Sequence, residues 1–203
     1  MLVNEAWLKE FVNYSIPTEQ LAAKLTMAGL EVDSVSNAAA EFSGVVVGKV
    51  LTVEKHPNAD KLRVCTVSVD ETEEALAIVC GAANVRPNLC IPVAVVGAVL
   101  PGNFKIKKSE PSHGMLCSEQ ELGLADSADG LMELPANAPV GTNIREYLSL
   151  DDTVIEVDLT PNRADCLSVE GIAREIACFS GLPLSVPNTK PVQESIPTLK
   201  NVT

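Results

Sequence analysis

The chain has 203 residues and a formal net charge of −12, and 46% of its residues are hydrophobic. This composition is typical of a soluble globular protein of one or two domains and excludes a disordered chain. The charge is −4 in each of residues 1–42, 43–147 and 148–203. Any nucleic-acid contact must therefore use a local basic patch. No apolar run approaches the roughly 20 residues that span a bilayer, so we expect no membrane partner.

The N-terminal segment predicts two short helices and a strand. Apolar residues recur at helical spacing in residues 7–12, beginning with Trp7, and again in residues 21–28, where Gly29 is placed to end the second helix. Residues 30–35 alternate between apolar and polar side chains, which predicts a strand.

The next hundred residues predict a small β-barrel. Short apolar segments with turn signals between them indicate strands at about residues 45–53, 62–69, 75–80, 91–96 and 114–117. We also expect a polar helix at residues 118–124 and a strand-like segment at residues 131–134.

The helix and strand pattern returns near Thr153. Residues 155–159 alternate as a half-buried strand, residues 161–165 form a turn, and an apolar stripe predicts a helix from Val169 that Gly181 can end. The flanking pieces are too small to fold alone, so we expect the two flanking strands to pair. The fold class is thus α+β, with a small β-barrel (residues 41–149) inserted into a discontinuous helix and strand domain (residues 1–40 plus 150–188), and a linker at residues 189–203.

The sequence offers little for catalysis or metal binding. The six cysteines form no Cys-x-x-Cys pair, and no secretion signal is visible, so we expect reduced thiols, a cytoplasmic location and no structural metal. Phosphate-loop and dinucleotide-binding glycine motifs are absent. His113 and Cys117 are better interpreted as a loop histidine and a buried cysteine than as a nucleophile with its base. We expect no catalytic residue in this chain.

Positive charge is concentrated near one predicted loop, at residues 55–62. Lys49, Lys55, Lys61 and Arg63 lie close together in the sequence. Seen alone, the loop is better interpreted as a solvated connection between two strands.

Three short motifs occur in order, at residues 56–62 (His-Pro-Asn-Ala-Asp-Lys-Leu), 80–85 (Cys-Gly-Ala-Ala-Asn-Val) and 112–118 (Ser-His-Gly-Met-Leu-Cys-Ser). Together they resemble the tRNA-binding OB-fold module of several synthetases, synthetase-associated factors and stand-alone tRNA-binding proteins. The flanks, above all residues 159–168 and 171–175 together with residues 7–8 and 28–32, resemble the N-terminal portion of the bacterial phenylalanyl-tRNA synthetase beta-chain family.

The resemblance implies a function for the whole enzyme. By this resemblance, the whole enzyme joins phenylalanine to tRNA with ATP and magnesium. Its aminoacylation site would be on a separate alpha chain, and two alpha and two beta chains would form a heterotetramer. This chain would supply tRNA contact and scaffolding, with no cofactor of its own and no DNA partner, and an editing domain would follow it.

The same resemblance implies the site residues. Lys or Arg contacts to phosphate supply affinity without sequence readout, and polar side chains bond sugars or base edges. Aromatic residues for stacking are scarce in the barrel region, which favours weak, shape-led binding. The residues expected at the tRNA are Lys55, His56, Asn58, Lys61, Arg63, Asn84, Lys105, Lys107, Lys108, Ser112 and Ser118.

One departure from the family concerns this patch: between Lys108 and Ser112 the family usually has a few more residues, including a basic one and a glycine.

The flanking motif contains Pro161, Asn162, Arg163 and Asp165, to which we assign a structural role. Arg163 is expected to form an internal salt bridge with Asp158 and Asp165, and a contact with a partner is the alternative. Two other functions stay open: a stand-alone tRNA-binding protein, which does not need the flanking motif, and a purely structural module with a vestigial OB groove.

Overall fold

The computed structural model describes residues 1–70, 74–108 and 112–185. It divides into two compact units, one formed by Met1–Ser36 with the described part of Thr153–Thr203, the other by Asn37–Asp152. The linker expected at residues 189–203 lies outside the described residues. In chain order the elements are β1 (Leu2–Asn4), α1 (Glu5–Phe11), α2 (Thr18–Met27), β2 (Glu31–Asn37), β3 (Ser43–Lys55), β4 (Arg63–Ser68), β5 (Leu76–Cys80), β6 (Cys90–Leu100), β7 (Phe104–Lys105), β8 (Gly114–Leu116), α3 (Ile144–Tyr147), β9 (Thr153–Asp158) and α4 (Val169–Ser180).

The first unit is a three-stranded sheet with helices packed against it. The strand order is β1-β9-β2, so the expected pairing of the two flanking strands is present, and β9 lies at the centre. Ile155 and Val157 of β9 are fully buried in a core that the apolar stripes of α1, α2 and α4 complete. Gly181 ends α4 in the left-handed conformation, at φ 67°, as its position after the apolar stripe predicts.

Two details of this unit differ from the sequence prediction. Strand β1 was not expected, because three residues are too few to show a period. Trp7 begins an apolar stripe in the sequence, yet half of its surface is exposed, while Leu8 is fully buried. The buried face of α1 is therefore narrower than the sequence pattern suggests.

The second unit is a curled sheet with the strand order of an OB fold. The path is β5-β4-β3-β6-β7, and β8 pairs with β6. The His113 backbone N–H donates to the Ala77 carbonyl over 2.8 Å, which joins the segment before β8 to β5 and brings the two ends of the sheet together. Gly48 of β3 pairs with Ile91 of β6, and a Cβ atom at Gly48 would collide with Cγ2 of Val93.

The expected helix at residues 118–124 is wrong. The segment forms turns, and Gly123 adopts the left-handed conformation at φ 67°, which ends the helical path after a single turn. The expected strand at residues 131–134 is also wrong, because only Leu134 forms an isolated bridge, with Cys90. Asn84 holds the backbone of Leu131 instead, as described below.

Candidate nucleic-acid interface

The loop between β3 and β4 joins the first two strands of the barrel. Lys55 and Arg63 are the last cross-strand pair, and His56 closes the loop by donating its backbone N–H to the Leu62 carbonyl over 3.2 Å. The His56 ring also accepts a hydrogen bond at Nδ1 from the Asn58 backbone N–H, over 3.2 Å. His56 and Leu62 therefore shape this loop, which leaves the lysines to point outward.

The cations of this loop are available for a ligand. Lys55, Lys61 and Arg63 are exposed, and none of them forms an ion pair within the described part of the chain. Asn58 is exposed beside them. An exposed, unpaired cation loses little when it binds phosphate, because it gives up only water and counterions.

A second group of cations lies in the connection between β6 and β8, the fourth and fifth strands of the barrel. Lys105, Lys107 and Lys108 are all exposed there. In OB folds the loop between strands one and two and the loop between strands four and five flank the ligand surface. The six lysine and arginine residues predicted at the tRNA thus lie in or directly beside the two loops that this fold generally uses. Residues 109–111, where the sequence departs from the family pattern, lie outside the described residues.

Asn84 is a structural residue of the barrel unit. Its side-chain Oδ1 accepts from the Leu131 backbone N–H, and its Nδ2 donates to the Leu131 carbonyl, both over 3.0 Å. Gly130 must be glycine next to it, because a Cβ atom there would lie 2.6 Å from Asn84 Oδ1. The side-chain amide of Asn84 is engaged by the Leu131 backbone, which explains the Asn in the second motif without an RNA contact.

An ion pair between Arg86 and Glu133 lies next to the contact of Asn84 with Leu131. Arg86 holds Glu133 with two hydrogen bonds, of 2.6 and 2.7 Å, and its guanidinium also donates to the Asn84 carbonyl. The paired guanidinium lowers the pKa of Glu133 from 4.5 to about 2. Sequence reasoning missed this pair, because 47 residues separate its members.

Ser112 and Ser118 also make internal hydrogen bonds. Ser112 Oγ accepts from the Val79 N–H over 3.2 Å and donates to the Gly114 carbonyl over 2.9 Å. Ser118 forms a capping box with Glu121, whose Oε2 accepts from the Ser118 backbone N–H over 2.6 Å. These contacts bring the third motif onto β5 and fix the turn after β8.

The relation between His113 and Cys117 does not favour nucleophilic chemistry. Cys117 is fully buried, and burial raises the pKa of its thiol to about 12. A thiol with this pKa is protonated at neutral pH and is a poor nucleophile. All six cysteines are free, and five of them are buried.

The turn before α4 centres on Arg163. Its guanidinium pairs with Asp165 over 3.3 Å and with Glu175 over 2.8 Å, and it donates to the Ala28 carbonyl over 3.1 Å. The expected partner Asp165 is present, whereas Glu175, not Asp158, is the second partner among the described residues. Pro161 and Asn162 form the exposed start of the 3₁₀ turn that carries Arg163.

This turn also holds a group of metal-ligand type. Ligand atoms of Asp165, Cys166 and Glu175 lie within 4.8 Å of one another. Both carboxylates already pair with the Arg163 guanidinium. The geometry therefore favours an ion pair over a cation site.

Comparison with known proteins agrees with this geometry. Residues 45–143 match the protein family described as "Putative tRNA binding domain". The chain is 58% identical over 187 residues to the phenylalanine-tRNA ligase beta subunit of Methylococcus capsulatus, which covers 90% of this chain and 24% of that protein. It is 54% identical over 200 residues to the same subunit of Pectobacterium atrosepticum, covering 97% and 25%, and 54% identical over 194 residues to that of Hahella chejuensis, covering 94% and 24%.

The chain is similar to these phenylalanine-tRNA ligase beta subunits over 90% or more of its own length. It spans about a quarter of the length of these relatives. Every residue predicted at the tRNA lies within the tRNA-binding match, and the Arg163 motif lies outside it. The relatives cover both regions, which confirms the resemblance seen in the motifs and favours a beta-subunit portion over a stand-alone tRNA-binding protein.

Proposed function

We propose that this chain is the tRNA-binding and scaffolding portion of a phenylalanine-tRNA ligase beta subunit. The single observation that carries the proposal is the placement of six exposed lysine and arginine side chains in or directly beside the two ligand-flanking loops of an OB barrel. They are Lys55, Lys61, Arg63, Lys105, Lys107 and Lys108. All six lie inside the region that matches the tRNA-binding family.

The binding surface that we propose is smaller than the set of residues expected from sequence. Asn84, Ser112 and Ser118 are engaged in backbone contacts, so they shape the barrel, and phosphate contacts supply the affinity. Such contacts read the shape and charge of an RNA more than its bases. The surface therefore positions tRNA rather than selecting its sequence.

The chemistry of the whole enzyme lies elsewhere in this proposal. Attachment of phenylalanine, with ATP and magnesium, takes place on an alpha chain that joins the beta chain in a heterotetramer, and the complex works in the cytoplasm. The beta-subunit names of the relatives support an alpha partner. The Arg163 cluster makes the first unit a fixed scaffold, whose role is to hold the tRNA-binding unit within the assembly.

Fluorescence anisotropy of labelled tRNA, titrated with the chain at two salt concentrations, tests the proposal. Each phosphate contact steepens the slope of log K against log salt by about 0.7 on single strands and about 0.9 on B-form DNA. Replacing Lys55 and Lys61 with alanine should weaken binding and reduce that slope. Arg174→Gln is the matched control, because it removes one exposed charge of α4, outside the tRNA-binding match. Absence of binding by the unaltered chain at low salt would contradict the proposal.

A further inference from the structure

The segment of residues 104–108, here called the basic ribbon, carries an exposed aromatic residue. Phe104 is 59% exposed. The other two described aromatic residues of the second unit are not available: Phe42 is buried under the Arg145 guanidinium, 4.9 Å from its ring centroid, and Tyr147 is half-buried against the core. Among the described phenylalanine and tyrosine residues of the barrel unit, Phe104 is thus the most exposed.

The ribbon is held in place by its buried residue. The Ile106 backbone N–H donates to the Ala98 carbonyl over 2.8 Å, and the Ile106 carbonyl accepts from the Gly97 N–H over 2.9 Å. Its side chain is buried in the barrel core. Phe104 itself pairs with Leu100 as part of β7. A ring presented on an anchored strand loses little conformational entropy when a ligand stacks on it.

The charged residues of the basic ribbon are all positive. Lys105, Lys107 and Lys108 follow it, and none of the three forms an ion pair with any residue in ranges 1–70, 74–108 and 112–185. Single exposed apolar residues are common on proteins and need no explanation. An exposed ring in the same five-residue segment as three exposed lysines is different, because such a segment can supply the two needs of single-stranded nucleic acid, a stacking face and phosphate neutralisation.

We propose that the basic ribbon holds an unpaired nucleotide of the tRNA. Phe104 stacks on its base, and Lys105 and Lys107 bind the flanking phosphates. This inference rests on the proposed function and adds to it a base-contacting residue that the sequence motifs do not contain. A protein partner that covers Phe104 would be a different occupant, and the experiment below separates the two.

The test measures the binding of labelled tRNA to the full 203-residue chain and to four variants of it. Phe104→Leu removes the ring and keeps an apolar side chain, and Phe104→Trp keeps an aromatic face. Lys105→Ala with Lys107→Ala removes two cations. Leu51→Ala is the matched control, because Leu51 is also an exposed apolar residue of the barrel unit, at 46%. Circular dichroism checks that each variant is folded.

The expected results separate stacking from charge. Loss of one base–aromatic stack weakens binding by about fivefold or more, so Phe104→Leu should show this loss without a change in salt slope. Phe104→Trp should restore the affinity. The double lysine variant should lower the salt slope by about 1.4 if both contacts are to single-stranded RNA. In a Trp7→Phe background, emission of the Phe104→Trp variant should be quenched when tRNA binds.

Two results would overturn the inference. If Phe104→Leu binds tRNA as tightly as the unaltered chain while Lys55→Ala with Lys61→Ala binds weakly, the ring has no part in binding and only the proposed function survives. If the unaltered chain fails to bind tRNA at low salt, both the ribbon and the proposed function are wrong.

Discussion

The guanidinium group of Arg163 donates a hydrogen bond to the carbonyl oxygen of Ala28, across 135 residues of sequence. Ala28 is the C-cap of α2, and its carbonyl would otherwise be an unsatisfied helix C-terminal group. Through Glu175, the same guanidinium reaches α4. One side chain thus joins α2, the 3₁₀ turn and α4, the parts of the first unit that lie on both sides of the inserted barrel in the sequence.

Replacing Arg163 with alanine should lower the unfolding temperature of the chain. The change leaves the Ala28 carbonyl, Asp165 and Glu175 without their shared partner. Arg163→Lys should recover little, because an ammonium group cannot contact all three acceptors at these angles. The measurement is differential scanning calorimetry, with Arg174→Ala as control, since Arg174 has only an exposed pair with Glu170. Equal effects of Arg163→Ala and Arg174→Ala would refute this role.

Replacing Gly171 with alanine should destabilise the first unit by about 1–3 kcal/mol or more, the usual cost of overpacking. A Cβ atom at Gly171 would lie 2.0 Å from the Asp165 carbonyl oxygen, so α4 or the turn must move. Urea denaturation measures the change. Gly181→Asn is the control, because asparagine tolerates the left-handed conformation of that position. A stability of Gly171→Ala within about 0.5 kcal/mol of the unaltered chain would mean that the turn is not held against α4.

Replacing Asn84 with alanine should cost about 1–3 kcal/mol of stability, because it leaves the Leu131 N–H and C=O without partners. Gly130→Ala should act on the same contact, since its Cβ atom would meet Asn84 Oδ1. The two effects should therefore not add in the double variant. If Asn84→Ala leaves the denaturation curve unchanged but weakens tRNA binding, Asn84 contacts RNA and the structural assignment is wrong.

Acid should remove the contribution of the Arg86–Glu133 pair. The pKa of Glu133 is lowered from 4.5 to about 2 in the folded chain. A lowered folded-state pKa means that the stabilisation is fully present above about pH 4.5 and is lost as the pH falls toward 2. Denaturation of the unaltered chain and of Arg86→Gln, at pH 7 to 3, measures this. Their stability difference should shrink below pH 4.5, and a difference that stays constant to pH 3 would disagree with the pairing.

Local patterns predicted much of this fold. The apolar stripe of α4 and Gly181 gave a helix that ends where the stripe ends, because burial and the left-handed cap act at short range. The barrel strands were also predicted within a few residues, since their alternation reflects one buried face. The exposure of Trp7 and the turns at residues 118–124 were not predicted. The width of a buried helix face and the left-handed conformation of Gly123 depend on the neighbouring elements.

The candidate site was predictable in part. The lysines of the first loop could be found from their charge and their position between two strands. The internal roles of Asn84 and Ser112 could not, because their hydrogen-bond partners lie 47 and 33 residues away. The sequence also gave no sign that Phe104 would be exposed, since only the anchoring of Ile106 fixes which residues of the ribbon face solvent.

Amide hydrogen exchange with and without tRNA tests the central claim most directly. If the two barrel loops bind tRNA, exchange should slow in residues 55–63 and 104–108, while the helix α4 peptides stay unchanged. A decrease confined to the first unit, or no decrease under conditions where tRNA binding is saturated, would contradict the account and place the RNA contact elsewhere.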